Sequence, residues 1–273
     1  MSSSVPANEY SALINSIRRK RKIIGVLMVI AIVIVALISS PGTIYVPGKA
    51  TIEYSGISPV LTVIFIILIL FCALIAYSVV LLPLTSSLQT ECDPQKHLAL
   101  NTALNSSKHP EQILVADYLY LGDFEAALKC ADISVVSGKP LIMLNGLYNK
   151  ARCEFFLGNR EAMKQTVSDY EVLLSTSQKL SPKKKATFEK VGKALRLSLA
   201  ILEGDKEKIS ELHVLDVWAD TKLIHGYVNY LEGVAAYYLE DKNEVVYRMM
   251  RVKEDCSKTV LARMADDYLS RVA

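Results

Sequence analysis

The chain has 273 residues, 51% of them hydrophobic, and a formal net charge of +3. That length allows one or two compact units. All of the positive excess falls within residues 1–83, where six basic residues face two acidic ones, so the remainder has no clustered Lys/Arg face of the kind nucleic acid requires.

Residues 1–22 form a basic N-terminal segment ending in Arg18, Arg19, Lys20, Arg21 and Lys22. Such a cluster beside an apolar run stays on the cytoplasmic side, and it also attracts anionic headgroups at about 1 kcal/mol per residue. Residues 23–40, IIGVLMVIAIVIVALISS, carry no charge. As a helix they span roughly 27 Å, close to the ~30 Å hydrocarbon core. A cleaved signal peptide is the alternative, but the run is long and the SSPG after it is a poor small-x-small cleavage site.

Residues 41–56 make a short loop in which TIYV and ATIEY alternate around Pro47-Gly48-Lys49. That pattern predicts a small β-hairpin, marginal by itself in water. Residues 57–83 form a second uncharged apolar run, long enough to cross with some tilt. β-branched residues are frequent in both runs, yet only a helix satisfies its own backbone in lipid. The expected topology is an integral membrane protein with both termini in the cytoplasm, most simply in a bacterial plasma membrane. Neither run holds an ionisable residue, which argues against a transport path. Ala36/Ser40 and Cys72/Ala76 are small-xxx-small pairs suited to close helix packing.

Residues 84–109 read as a linker and lead-in helix with Asp93 as N-cap. Beyond them, YLYLGDFEAAL, EFFLGNREAMK, AILEGDKEKIS and AYYLEDKNEVV align on Gly122, Gly158, Gly204 and Glu240, separated by 36, 46 and 36 residues. Each aligned position is followed by Asp or Asn. Gly ends a helix in the left-handed conformation, and the Asp or Asn caps the next one. Each unit is therefore helix, tight turn, helix, with a looser fourth turn at Glu240. The longer interval holds LSPKKKATFEK, where Ser181 and Pro182 suit the start of a helix. Lys183, Lys184 and Lys185 there oppose the helix dipole and belong to a solvated loop or to a partner or lipid contact. The segment after Ser257 reads as a closing helix.

This pattern resembles the tetratricopeptide repeat, whose period is about 34 residues. The likeness covers 110–255 and is strongest in the first unit, at Tyr118, Gly122, Phe124 and Ala127 with Pro140 after them; the second unit keeps Ala151, Gly158 and Ala162. Together with the two apolar runs, the resemblance implies an all-α fold: two transmembrane helices followed by a tetratricopeptide-like α-solenoid of about four helical hairpins across 110–273. It also implies peptide binding on a concave surface made by the first helices, lined by Gln112, Ala116, Asn145, Tyr148, Asn149, Arg152, Tyr227, Tyr230 and Tyr237. Packing of the same tyrosines between helices is the equal alternative, since Tyr is amphipathic. Of the family's five-residue carboxylate clamp only Asn149 is present; Gln112, Ala116, Val191 and Leu195 depart from it.

No catalytic, cofactor or metal pattern stands out. Cys72, Cys92, Cys130, Cys153 and Cys256 form no CxxC pair and suit a reducing compartment. His97, His109, His213 and His225 lack ligand spacing. Asp216 and Asp220 are four apart on a possible helical face, which a solvated surface explains. The expected function is therefore a membrane-anchored scaffold or adaptor, not an enzyme, with protein partners on the repeat surface and no cofactor. The alternative is an accessory subunit of a translocon, transporter or cell-envelope complex that interacts through its two spans.

Overall fold

In a computed structural model the chain is described over residues 9–44, 52–54, 56–104, 111–178 and 180–273. Two compact units divide at Pro83/Leu84.

The first unit holds α1 (Ser11–Ser39), the two strands β1 (Gly42–Ile44) and β2 (Ile52–Tyr54), and most of α2 (Pro59–Gln89). Both helices are long and apolar enough to cross a membrane, and the apolar stretch of neither is buried. At about 1.5 Å per residue, α1 is longer than the hydrocarbon core is thick. The surplus is its first turns, so the basic cluster continues the same helix as the apolar run. The strands pair antiparallel with Gly42 opposite Tyr54 and Ile44 opposite Ile52. The expected turn at Pro47-Gly48-Lys49 lies outside the described residues. Thr62 donates to the Ser39 hydroxyl at 2.6 Å, tying the helices together beside the strands. Pro83 sits inside α2, where it has no N–H to offer the carbonyl of Val79.

The second unit contains α3 (Pro94–Leu104), α4 (Glu111–Leu121), α5 (Phe124–Val135), α6 (Pro140–Phe156), α7 (Arg160–Thr176), α8 (Pro182–Glu203), α9 (Lys206–Leu212), α10 (Lys222–Tyr238), α11 (Lys242–Asp255) and α12 (Val260–Val272). The chain as described is thus helical apart from the short strand pair. Asp93 caps α3 by accepting from the Lys96 amide at 2.9 Å. Pro182 opens α8 as expected, although Ser181 makes no side-chain capping bond.

The four aligned turns share one chemistry. Gly122, Gly158 and Gly204 have φ of 89°, 72° and 68°, and Glu240 has φ 65° despite its side chain. At each turn the following amide reaches back five residues: Asp123 to the Tyr118 carbonyl, Asn159 to Glu154, Asp205 to Ala200 and Asp241 to Ala236. This is the Schellman closure of a helix end. Asp123, Asp205 and Asp241 then cap α5, α9 and α11 through their carboxylates; Asn159 makes no such bond. The fourth turn is therefore as tight as the others, a correction to the looser turn expected there. Asp216 and Asp220 are corrected too: they lie in a non-helical segment between α9 and α10.

Successive helices pack on one another, and α4, α6, α8, α10 and α12 also contact in that order. The last helix, α12, then meets α4 as well. Arg263 donates to the Leu121 carbonyl at 3.1 Å, and Lys258 pairs with Asp93 at 2.7 Å. Lead-in and closing segments thus cover each other. One core runs through the unit, with Leu119, Leu144, Leu195, Leu231 and Leu261 fully buried.

Candidate functional site

Tyr148 and Arg152 are one helical turn apart on α6, so both project from one face. The last turn of α4 brings Tyr120 to that face and α10 brings Tyr227. Arg152 Nη2 donates to the Tyr120 hydroxyl at 2.6 Å. Its Cζ lies 4.1 Å from the Tyr227 ring centre, 4.8 Å from that of Tyr120 and 5.0 Å from that of Tyr148. Trp218, from the segment before α10, sets its ring edge-on to Tyr148 and Tyr227 at 6.1 and 6.2 Å.

Burial pushes the Tyr120 phenol up to about 12, against the lowering pull of Arg152, and raises Tyr148 and Tyr227 as well. The phenols are therefore neutral. The guanidinium stays charged and makes no ion pair among the described residues. Arg152 Nε and the Tyr148 hydroxyl are buried without a hydrogen-bond partner among the described residues.

A second aromatic run lies in the same unit. Phe124 stacks on Phe156 at 4.8 Å, Phe156 touches Tyr230 at 5.9 Å, and Tyr230 and Tyr237 flank Tyr268 at 6.3 and 5.3 Å. It links α5 and α6 through α10 to α12.

Of the expected groove residues, Tyr148, Arg152 and Tyr227 meet in the cage and Tyr230 and Tyr237 share Tyr268, but several face inward. Arg152 is 2% exposed, Tyr227 0% and Tyr230 4%. These three occupy the interior instead of lining an open surface, because Tyr120, Tyr148 and Trp218 enclose Arg152 and Tyr227, and Met264 and Tyr268 of α12 cover Tyr230. Tyr148 is half-buried with its hydroxyl enclosed. Ala116 and Asn149 are half-buried and Asn145 is exposed. The Gln112 side chain lies outside the described residues. Val191 and Leu195, at the clamp positions, are core. Tyr237 is half-buried and lines a cleft of about 550 Å³ with Lys206, Tyr238, Lys242, Arg271 and Val272.

A surface the sequence reading missed lies on α11. Val245, Met249 and Val252 turn inward, leaving Val246, Tyr247 and Met250 44%, 52% and 46% exposed. Arg248 and Arg251 hold their guanidinium carbons 5.5 and 5.7 Å from the Tyr247 ring. The signal was present in VVYRMM, which has more apolar residues than one helical stripe can bury.

In the first unit, Arg18, Arg19, Lys20 and Lys22 are exposed on α1. Arg21 lies 4.9 Å over the ring of Tyr77 from α2. Deeper along the same helices, Leu27, Met28, Ala31, Cys72, Ala73 and Ala76 line a cleft of about 360 Å³.

The buried polar groups outside the cage join helices. His97 and Asp117 meet at 2.6 Å between α3 and α4, with Asn101 against the same imidazole. Burial raises the Asp117 carboxyl, partly offset by His97. Glu232 accepts from the Leu215 amide at 2.8 Å and pairs with Arg248 at 2.6 Å. Among the described residues no grouping of three or more His, Cys, Asp or Glu could hold a metal ion.

Comparison of the chain with protein-family models, with curated proteins and with solved structures finds no match in any of the three. The structure itself defines a class: an all-helical protein in which two helices able to cross a membrane precede a helical domain.

Proposed function

We propose that the chain is a membrane-anchored adaptor. In this reading α1 and α2 hold it in a bilayer, with Arg18, Arg19, Lys20, Arg21 and Lys22 at the cytoplasmic headgroups. The domain from Leu84 onward is a tetratricopeptide-like solenoid, its ends in contact, that presents a protein-binding surface to the cytoplasm. The supporting observation is the exposed strip Val246, Tyr247 and Met250 with Arg248 and Arg251 beside it. Tyr, Met and Arg are enriched at interface centres, and a contiguous exposed apolar patch marks an interaction site. The adjoining cleft at Tyr237, Lys242 and Val245 extends that surface. Anchoring would confine the encounter and raise effective concentration.

The test is affinity purification of the full chain from crosslinked membranes, beside a Tyr247→Ala/Met250→Ala variant. Loss of the partner with an unchanged melting temperature is expected; retention of every partner would remove α11 as the docking face. The 360 Å³ cleft between α1 and α2 favours a second reading, an accessory subunit that engages a membrane complex through its spans. Filling that cleft with Ala31→Leu and Ala73→Leu should displace the partner under that reading and leave it bound under the first.

A further inference from the structure

Cys92 and Cys256 stand 164 positions apart in the chain, yet their sulfurs are 3.6 Å apart, with Cys256 donating to Cys92. Both are buried, at 1% and 0% exposure. Cys92 lies in the short segment between α2 and α3, Cys256 in the turn between α11 and α12. The surroundings are arranged around this contact. Cys92 has φ 49°, a left-handed conformation that non-glycine residues rarely adopt. Gly226 of α10 leaves room for the Cys256 sulfur, with which an added Cβ would collide. Beside the pair, Lys258 and Asp93 join the same two segments at 2.7 Å.

We infer that Cys92 and Cys256 are a reversible oxidation site, in which a small peroxide converts the two thiols into a disulfide that fastens the lead-in segment to the α11–α12 turn. Cys92 is the attacking sulfur. The hydrogen bond from Cys256 lowers its thiol against the opposing effects of burial and Asp255, and it raises Cys256. The Cys92 thiolate attacks one oxygen of hydrogen peroxide; an S–O bond forms, the O–O bond breaks, and the departing hydroxide takes up the thiol proton as water. The Cys256 sulfur then attacks the Cys92 sulfenic acid. An S–S bond forms, the S–O bond breaks, and the hydroxyl leaves as water with the Cys256 proton. Two thiols are oxidised and one peroxide is reduced to two waters. The sulfurs close from 3.6 Å to a bonded separation of about 2.05 Å. Their burial selects an oxidant of nearly water size.

The experiment uses the full chain in lipid nanodiscs, treated with hydrogen peroxide, quenched, unfolded and alkylated. The expected result is that two of the five thiols disappear together, the mass falls by two hydrogen atoms, and a Cys92–Cys256 linked peptide appears and is lost again in dithiothreitol. Cys256→Ser should leave a sulfenic acid at Cys92 that dimedone labels, which keeps the assignment testable if Cys92→Ser folds poorly. Alkylatable Cys92 and Cys256 after peroxide treatment, or linkage of Cys92 to Cys130 or Cys153 instead, would overturn the assignment.

Discussion

Arg152 takes a full positive charge into the middle of the domain with no carboxylate among the described residues to meet it. Such a charge costs several kcal/mol after relaxation. Three aromatic faces within 5.0 Å, each worth up to about 2 kcal/mol when desolvated, reach the same size, and the Tyr120 hydroxyl adds a short charge-assisted bond. The two phenols Tyr120 and Tyr148 therefore play different parts: one accepts from the guanidinium, the other has an enclosed hydroxyl with no partner among the described residues. Tyr120→Phe should cost about 1–3 kcal/mol, because it strips a hydrogen bond from a buried cation. Tyr148→Phe should be neutral or stabilising, because the ring stays and only an unsatisfied hydroxyl goes. Urea denaturation of the two variants checks this, and equal losses would contradict the cage. The sequence placed Tyr148, Arg152, Tyr227 and Tyr230 among nine groove residues and left open whether the tyrosines face outward or pack between helices. It could not decide, because their burial depends on partners distant in the chain, Tyr120 and Trp218 for the cage and Tyr268 of α12 for Tyr230, and the amphipathic character that suits Tyr to an interface suits it equally to an interior.

Each aligned turn is a self-contained device, which is why the turns were the most legible part of the chain. A Gly in the left-handed region and an Asp that caps the next helix act within six residues, so the local pattern is sufficient. Glu240 departs from Gly in sequence and still adopts φ 65°, because the capping by Asp241 and the packing of α10 on α11 outweigh its own preference. That preference costs about 1–2 kcal/mol, and the exposed Glu240–Lys206 pair returns little of it. Glu240→Gly should therefore stabilise the domain by about 0.5–1 kcal/mol, after allowing for the extra freedom that Gly brings to the unfolded chain. A shifted urea midpoint with unchanged slope is the signature; a loss of stability would mean the ion pair matters more than the backbone. The segment 213–220 was less legible. Asp216 and Asp220 have helical spacing, but Trp218 packs into the cage and the Leu215 amide is held by Glu232. Both contacts are tertiary, and neither leaves a local pattern.

At the scale of the molecule, the contact of α12 with α4 separates this domain from an open stack, in which each unit touches only its neighbours. Leu261 is fully buried on α12, and Leu261→Ala should cost about 2–5 kcal/mol. Amide exchange would locate that loss: protection should fall in α4 as well as in α10 and α12, whereas an open stack would confine it to the end of the chain. The sequence supplied the two terminal segments only as a lead-in and a closing helix; that they cover each other rests on Asp93 and Lys258 meeting across the fold, which no local spacing encodes. The closure also sets an order on synthesis. Pairings of long sequence separation form late and slow folding, so α4 must wait for α12 to leave the ribosome. By then both apolar helices have long since emerged, and until that moment the edge of α4 that α12 covers stays open.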